Sequence, residues 1–410
     1  MKLAIVDSWF HWPPTGGAVR SVKEIADRLS RRGVEVTIVA PSNSIRGGEN
    51  FDFRIKWMNM PHITGPTFYS LTRDALKSLN PDAVFVMGGN LFKPYMIEAA
   101  RDYPTMVRLY AYELRCPASY GLLFRDGHIC TNSFLRNPQK CMTCTEDIRR
   151  MWHNPSIIER PESIKSLKLL YPLYQMLVKH SIGKISVAVA TTEYMKREFN
   201  GVIPLDKISV IADGVDSDFF HPWEPHVGRE TKIITLPGRA FDPIKGLAVL
   251  LKASAILWKK RQDFRLVITG SGRKDISLDH PFVGGDIWLD DKDIPGMYGN
   301  SDIVVVPSIW GEPFGLTALE GMSSEVPVVA SRIGGLAEIV KDGENGLLFK
   351  PGDYTELASI LDMLLDNPDL RAQLGKNGRK HVIQNYSWDK IIDQYMALIQ
   401  NLVDGKKQKS

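Results

Sequence analysis

Residues 308–322 read SIWGEPFGLTALEGM and place Glu312 and Glu320 on either side of a glycine-containing turn at a predicted helix start. The first N–H groups of a helix have no partner within it, and the helix dipole is positive there, so the turn suits a phosphate. The amides would come from Phe314, Gly315, Leu316 and Thr317. Glu320 would reach a polar ring on that phosphate about one turn into the helix, while Glu312 faces the other end. The stretch predicts two carboxylates that bracket a diphosphate.

The length and composition predict a globular protein with two cores. The chain has 410 residues, of which 44% are hydrophobic and 24% charged, too many residues for one ordinary domain. It has no uninterrupted apolar run of about 18 residues, and its start resembles a buried strand more than a signal peptide, so we expect a cytoplasmic protein. The net charge of +4 is small and gives no reason to expect nucleic acid as a partner.

Short apolar segments alternate with helical patterns along the chain, which predicts an α/β protein with parallel sheets and crossover helices. Strands are predicted at 2–6, 34–40, 83–87, 105–109, 186–190, 233–237, 265–269, 303–307 and 326–330. Helices are predicted at 19–31, 246–260, 316–323, 355–366, 370–384 and 388–403.

A segment rich in proline and turn-forming residues, 222–230, predicts a connection between two domains. We expect a first domain at 1–222 with a helical, cysteine-containing excursion near 116–180. The second domain is expected at 231–386. Residues 387–410 are expected to contain an amphipathic helix that packs back on the first domain, together with a loose tail.

Four segments resemble one known family. They are GEPFGLTALEGM continuing into VPVVASRIGGLAEIVKDGENGLLFKPGD, the N-terminal PPTGGAVRSVKEIADRLSRRGVEVTIVA, VIADGVDSDFFHP, and LPGRAFDPIKG. The chain resembles the retaining, nucleotide-sugar-dependent glycosyltransferases of family 4. The resemblance implies the GT-B fold, in which two Rossmann-like parallel-sheet domains face each other across a cleft and the C-terminal helix crosses back to the first domain.

The resemblance implies transfer of a sugar from a nucleotide diphosphate sugar, by a retaining, metal-independent transferase of the hexosyltransferase type. The departing diphosphate gains negative charge, which two fixed cations can stabilise. Arg239 and Lys245 follow the end of a predicted strand and are the candidates. With Glu312, they form the predicted catalytic set. No nucleophile is demanded, because the leaving phosphate would help to take the acceptor proton.

The remaining donor contacts are assigned by the same resemblance. Glu320 would bind the ribose hydroxyls and Glu312 the hydroxyls of the donor sugar. Gly16 and Gly17 would let the backbone of the first domain close over the phosphates. Taken alone, a glutamate pair at this spacing is typical of a solvated helix edge, and Arg239 and Lys245 would be surface charges more often than ligands. The order of these residues along one chain favours the site.

The substrates stay open at this stage. A UDP-sugar is favoured as the donor, and a saccharide, a lipid-linked molecule or a metabolite would serve as the acceptor, for example in polysaccharide biosynthesis. One alternative is a catalytically silent sugar-nucleotide binding or regulatory protein of the same fold, and a further one is an epimerase. Relatives often carry a His-Asp pair where this chain has Tyr110 and Ala111, so no histidine role is transferred. Glu113 is an alternative polar contact to the acceptor.

All the cysteines lie in one span: Cys116, Cys130, Cys141 and Cys144. The final pair, with two residues between, is compatible with a tetrahedral structural zinc site. The first two gaps match no standard zinc finger, however, and buried thiols are common. No cofactor is otherwise required, and catalysis is expected to need no metal.

The segment 163–184, SIKSLKLLYPLYQMLVKHSIGK, mixes large apolar residues with spaced lysines. One interpretation is peripheral contact with an anionic membrane at the inner face, where lipid-linked acceptors reside. The other is a helix packed on the sheet with its lysines reaching into water. Pro172 is predicted to divide the segment into two short helices.

Overall fold

Two parallel sheets organise the chain. The structure, a computed structural model, describes residues 1–12, 14, 16–41, 51–59, 64–116, 124–125, 128–151, 161–223, 229–270, 278–287 and 289–407. The chain divides into a first unit, Met1–Leu122, Cys130–Ile211 and Ile392–Ser410, and a second unit, Leu123–Ile129 and Ala212–Ile391. Residues 224–228, inside the predicted connection, lie outside the described residues.

The strands carry the labels used below. They are β1 Lys2–Val6, β2 Glu35–Pro41, β3 Arg54–Met58, β4 Ala83–Val86, β5 Thr105–Arg108, β6 Phe124–Arg125, β7 His128–Ile129, β8 Val187–Ala190, β9 Ile208–Val210, β10 Lys232–Leu236, β11 Phe264–Thr269, β12 Val283–Ile287, β13 Ile303–Val306, β14 Val328–Ser331 and β15 Leu347–Phe349.

The helices are labelled in the same way. They are α1 Gly17–Arg31, α2 Gly65–Leu79, α3 Lys93–Ala99, α4 Pro138–Met151, α5 Pro161–Lys184, α6 Glu193–Glu198, α7 Leu247–Trp258, α8 Ile294–Gly299, α9 Leu316–Ser323, α10 Leu336–Ile339, α11 Tyr354–Asp366, α12 Pro368–Asn385 and α13 Trp388–Lys407.

The first unit contains a seven-stranded sheet in the order β3-β2-β1-β4-β5-β8-β9. Every pair in it is parallel. The central strands are buried on both faces; β4 and β5 have no exposed residue. A strand buried on both faces reads as a continuous apolar run, which is why the sequence revealed β1 and β4. The order reverses beside β1, as in dinucleotide-binding folds.

The second unit contains a six-stranded parallel sheet in the order β12-β11-β10-β13-β14-β15. Two apolar clusters pack on it. One joins β10 and β11 to α7 and α11, with Leu250, Phe264 and Leu361 almost fully buried. The other joins β13 and β14 to α9 and α10, with Leu319 and Leu336 at its centre. The prediction of two Rossmann-like parallel-sheet units is confirmed.

The C-terminal helix α13 completes the first unit, since Ile392–Ser410 belongs to it. The Tyr395 ring lies 5.6 Å from that of Phe85 on β4, and its hydroxyl contacts the Arg108 guanidinium on β5. The helix runs to Lys407, further than the predicted end at residue 403. The expected return of this helix to the first domain is confirmed.

The prediction that Pro172 divides the excursion is wrong, because α5 is one helix of 24 residues with Pro172 inside it. A proline in a helix removes one backbone hydrogen bond. Here burial stabilises the helical turns that follow Pro172, because Tyr174 and Val178 are only 5% and 1% exposed. The Tyr174 hydroxyl also donates to the Leu91 carbonyl at 3.2 Å. In the part of the chain that is described, no helix combines the length and the apolar content needed to cross a bilayer.

Candidate functional site

The helix start predicted from the sequence lies where expected. α9 begins at Leu316, directly after Gly315, whose φ of 129° is a left-handed value that favours glycine. A Cβ on Gly315 would also lie 2.7 Å from Leu336 Cδ2, so the site has no room for a side chain. Among the described residues, no side chain caps this helix. Its first amides therefore remain available to an anionic ligand.

Gly334 and Gly335 pack against the backbone of the turn that contains Glu312. The Gly335 amide donates to the Glu312 carbonyl at 2.7 Å. Gly334 has φ 58°, and a Cβ there would lie 2.4 Å from the Glu312 carbonyl oxygen and 2.5 Å from its amide nitrogen. The backbone at residues 334–335 can approach that of Glu312 this closely only because Gly334 and Gly335 have no side chains. The GG of the family-like segment thus fixes where Glu312 stands.

Glu312 is the most heavily bonded carboxylate of this region. Lys245 Nζ donates to both carboxylate oxygens at 3.1 Å, and Ser308 Oγ and Trp310 Nε1 each donate to Oε2 at 2.9 Å. Burial raises the pKa of Glu312, but the Lys245 charge and these hydrogen bonds outweigh it and hold the pKa below its usual value. The group is therefore an ionised carboxylate facing a lysine ammonium.

Lys245 keeps donor capacity for a ligand. An ammonium has three N–H donors, and Glu312 takes two of the bonds found in the described residues. Lys245 Nζ also lies 5.9 Å from the Trp310 ring centre, within cation–π range. Ser308 and Trp310, which the sequence reasoning did not single out, thus orient the Lys245–Glu312 pair. Their only sequence signal is their position four and two residues before Glu312.

Arg239 lies on the loop after β10 and is more accessible than Lys245. Its side chain is 54% exposed and its Nη2 lies 3.5 Å from Asp242 Oδ2. Asp242, also missed from the sequence, is 3% exposed at the side chain; burial raises its pKa against the opposing charges of Arg239 and Lys245. A Cβ on the preceding Gly238 would lie 3.4 Å from Thr317 Cγ2, so this loop borders the first turn of α9. The predicted cation, helix start and carboxylate therefore gather in the second unit.

Glu320 lies in α9 and is held by a tyrosine. The buried Tyr298 hydroxyl donates to Glu320 Oε2 at 2.7 Å and contacts the Thr317 carbonyl oxygen at 3.3 Å. Tyr298 thus orients the carboxylate that the sequence prediction assigns to the ribose hydroxyls. Tyr298 comes from α8, far from α9 in the sequence, so no pattern around Glu320 revealed it.

Glu320→Ala is expected to weaken UDP binding about tenfold or more, because it removes a hydrogen bond to a charged group worth about 1.5–3 kcal/mol. Tyr298→Phe is expected to weaken it less, about fivefold, because the carboxylate remains but loses its orientation. Titration calorimetry measures both. Tyr354→Phe, a tyrosine 40% exposed on α11, is the matched control and keeps wild-type affinity. Unchanged affinity in Glu320→Ala would contradict the ribose assignment.

The residues of the first unit that were predicted to contact the substrates are Gly16, Gly17 and Glu113. Gly16 precedes α1, which begins at Gly17, and a Cβ on Gly16 would meet no atom within 4 Å. Packing within the first unit therefore does not require glycine there, and its role towards phosphate stays a prediction. Glu113 is 5% exposed and accepts from the fully buried Lys93 at 3.1 Å. Glu113 thus has a partner inside the unit, and its contact with the acceptor stays a prediction.

Tyr110 lies beside a buried arginine. The Arg108 guanidinium carbon is 5.5 Å from the Tyr110 ring centre, a distance typical of cation–π packing. This agrees with a packing role for the aromatic ring.

The cysteines lie along 116–144, with Cys141 and Cys144 on α4. Burial raises the pKa of the Cys141 thiol to about 11, and the neighbouring Cys130 and Cys144 add to the effect. Within the described residues, no group of three or more His, Cys, Asp or Glu side chains is arranged to hold a metal ion. The geometry thus gives the predicted structural zinc no support.

Elemental analysis of the purified protein tests the zinc prediction. About one zinc per chain, lost in Cys141→Ser, would confirm it.

Comparisons with known proteins agree with this architecture. A family model described as "Glycosyl transferases group 1" matches residues 222–381, and one described as "Glycosyltransferase Family 4" matches residues 15–164. This chain belongs to the family 4 glycosyltransferases. The group 1 match contains Arg239, Lys245, Glu312 and Glu320, and the family 4 match contains Gly16 and Gly17.

Individual relatives carry related names. The glycosyltransferase is 33% identical to an MMP α-(1→4)-mannosyltransferase of Mycolicibacterium hassiacum over 48% of this chain and 49% of that protein. It is 29% identical to a D-inositol 3-phosphate glycosyltransferase of Arthrobacter sp. over 49% of this chain and 53% of that protein. The chain thus spans about half the length of these two relatives. It is 26% identical to an uncharacterized glycosyltransferase of Methanocaldococcus jannaschii over 95% of this chain and 96% of that protein.

Solved structures share the fold. Sucrose-phosphate synthase of Thermosynechococcus elongatus matches with a TM-score of 0.74 and 18% identity, over 98% of this chain and 99% of that chain. HepE of Anabaena, solved with UDP and glucose, matches with a TM-score of 0.67 and 17% identity, over 98% of this chain and 99% of that chain. At this identity the likeness concerns the fold alone, and it agrees with the GT-B architecture of this glycosyltransferase.

Proposed function

We propose that this glycosyltransferase transfers a sugar from a nucleotide diphosphate sugar, with a UDP-sugar favoured, and retains the configuration at the anomeric carbon. The observation that carries the proposal is the partly buried Lys245–Glu312 pair beside the uncapped start of α9, with the exposed Arg239 close to the same turn. A fixed cation, a mobile cation and free helix amides are what a departing diphosphate needs.

The two cations differ in how they would act. Lys245 is fixed by Glu312, so its charge is preorganised and needs little rearrangement when the bond to the sugar breaks. Arg239 is half-exposed and can turn its planar fork towards two phosphate oxygens. A charge-assisted hydrogen bond contributes about 1.5–3 kcal/mol, against about 0.3–1 kcal/mol from the helix end. The side chains therefore dominate the stabilisation of the leaving group.

Glu312 has two tasks in this proposal. Its Oε2 is occupied by Lys245, Ser308 and Trp310, whereas its Oε1 accepts from Lys245 alone among the described residues. A carboxylate oxygen accepts at more than one position, so Oε1 can also receive a hydroxyl of the donor sugar. An ionised Glu312 beside the anomeric carbon would stabilise positive charge that develops on the sugar ring. No metal ion takes part, because the cations supply the charge that a metal would bring.

The acceptor is proposed only by class, as a saccharide, a lipid-linked molecule or a metabolite, and polysaccharide biosynthesis is one setting. Two relatives are named as an MMP α-(1→4)-mannosyltransferase and a D-inositol 3-phosphate glycosyltransferase. This supports a hydroxyl of a polar molecule as the attacking group. A cytoplasmic location stays part of the proposal.

A donor panel tests the activity. Titration with UDP, GDP and ADP is expected to give the tightest binding for UDP, and the matching nucleotide sugars are then assayed for slow hydrolysis and for transfer to candidate acceptors. NMR of the product reports the anomeric configuration, which is expected to equal that of the donor. Tight nucleotide binding without hydrolysis or transfer would instead favour the silent binding protein. Product of inverted configuration would contradict the retaining mechanism.

A further inference from the structure

Helix α5 of the first unit has two different faces. Tyr174, Val178 and Ile182 are buried on one side, where the helix packs on α3. On the other side, Leu173 is 62% and Met176 64% exposed. These are the two most exposed large apolar side chains in the described part of the chain, and they stand three residues apart on one helix. Scattered apolar residues on a surface are ordinary, but a pair such as this forms a patch.

The patch continues into a groove. It is lined by Met176 and Leu177 on α5, by Tyr95 on α3, by Arg101 two residues after α3, and by Tyr69 on α2. The groove has a volume of about 520 Å³. Tyrosine has an apolar ring and a polar hydroxyl, so it suits a boundary between an apolar phase and water.

The charge around the patch is positive. From Ser163 to Thr192 the sequence contains no aspartate or glutamate, whereas the exposed Lys179 and Lys184 follow Met176 on α5. Of the nearby carboxylates, Glu98 is hydrogen-bonded to His180 at 2.6 Å, and Asp102 forms an ion pair with Arg73 at 2.8 Å. An apolar patch flanked by lysines that form no ion pair with a described residue is complementary to a lipid surface, which is apolar inside and anionic at its headgroups.

We propose that this face, made of Leu173, Met176, Lys179, Lys184 and the adjoining groove, binds an anionic lipid bilayer. Leu173 and Met176 enter the acyl boundary, and the lysines contact the headgroups. A second copy of this chain is a poorer occupant, because a two-fold interface would bring the same lysines of both copies together. The proposal goes beyond the sugar-transfer activity and does not depend on it.

Vesicle flotation tests the proposal with the full chain and without any donor. The wild-type protein is expected to float with vesicles of phosphatidylcholine and phosphatidylglycerol at low salt, and to remain in solution with phosphatidylcholine alone. High salt is expected to release it, because surface charges are screened. Lys179→Gln/Lys184→Gln is expected to weaken binding about thirtyfold, since each lysine near an anionic surface contributes about fivefold.

The apolar half is tested by Leu173→Ser/Met176→Ser, for which we expect a loss of more than about tenfold. Matched controls come from exposed residues of the second unit: Lys376→Gln/Lys380→Gln on α12, and Met363→Ser/Ile383→Ser on α11 and α12. Both controls are expected to bind as the wild type does. UDP titration and thermal unfolding confirm that every variant is folded.

Two results would overturn the proposal. One is wild-type protein that stays in solution with anionic vesicles at low salt. The other is binding that persists unchanged in both double variants. Analytical sedimentation tests whether a second copy of this chain covers the face instead. If the protein does not float but self-associates, and Leu173→Ser/Met176→Ser abolishes the self-association, the face belongs to an interface between two copies. Because flotation requires no donor, its failure is distinct from failure of the transferase assays.

Discussion

Replacing Arg239 or Lys245 with alanine is expected to lower turnover about a hundredfold, because in the proposed function each change removes a charge that stabilises the departing diphosphate. Steady-state assays with the best donor measure kcat and KM separately. The fall should appear in kcat and in kcat/KM alike, since the interaction is strongest in the transition state. Lys259→Ala, an exposed lysine just after α7, is the control and keeps wild-type rates.

The two variants are expected to differ in stability. Arg239 is 54% exposed, so Arg239→Ala leaves the free energy of unfolding nearly unchanged. Lys245→Ala leaves the carboxylate of Glu312 without its counter-charge, and because the pair is only partly buried we expect a loss below the ~3–5 kcal/mol of a fully buried pair. The double variant Lys245→Ala/Glu312→Gln should recover part of that loss in thermal unfolding, but not the turnover. Wild-type turnover in both single variants would show that the leaving group is stabilised elsewhere.

Gly334→Ala is expected to destabilise the second unit by about 3 kcal/mol, because the new Cβ both strains the backbone and meets that of Glu312. The residue has φ 58°, and the Cβ would lie 2.4 Å from the Glu312 carbonyl oxygen. Thermal unfolding measures the loss. UDP binding should weaken in the same variant, because the segment that carries Glu312 and leads into α9 must shift.

Gly343→Ala is the control that distinguishes the cost of backbone strain from the cost of the steric clash with Glu312. Gly343 also has a left-handed φ, 77°, but a Cβ there would meet no atom within 4 Å. This variant is expected to lose only about 1 kcal/mol and to bind UDP normally. Equal losses in the two variants would mean that contact with Glu312 does not matter.

Much of the sheet structure could be predicted from the sequence, because both sheets are parallel and covered on both faces. Their central strands are apolar runs, and β1 and α9 have the predicted bounds of 2–6 and 316–323. Strands at the sheet margins were missed. In β12, VGGDI, two glycines and an aspartate interrupt the run, and β3, RIKWM, alternates charged with apolar residues. Such segments pair because of their neighbours and carry little signal of their own.

Site residues could be predicted where charged side chains directly follow strands of a parallel sheet. Arg239 and Lys245 follow β10, and Glu312 follows β13, so they meet at the carboxyl ends of adjacent parallel strands. Tyr298, Trp310 and Asp242 could not be identified, because an orienting or buried polar group is defined by its tertiary contacts. Pro172 was misjudged for a similar reason, since burial of the next turns stabilises a helix that local propensity disfavours.

The return of α13 has a consequence for biosynthesis. Arg108 is fully buried at the end of β5, where its guanidinium donates to the Ile211 carbonyl at 2.9 Å and contacts the Tyr395 hydroxyl. Until Tyr395 has left the ribosome, this arginine lacks one of its polar contacts and part of the first core is uncovered. The N-terminal half, although translated first, can therefore reach its final packing only after the whole of the C-terminal half has been made. Ribosome-bound chains that stop before residue 392 should consequently display a protease-sensitive first sheet.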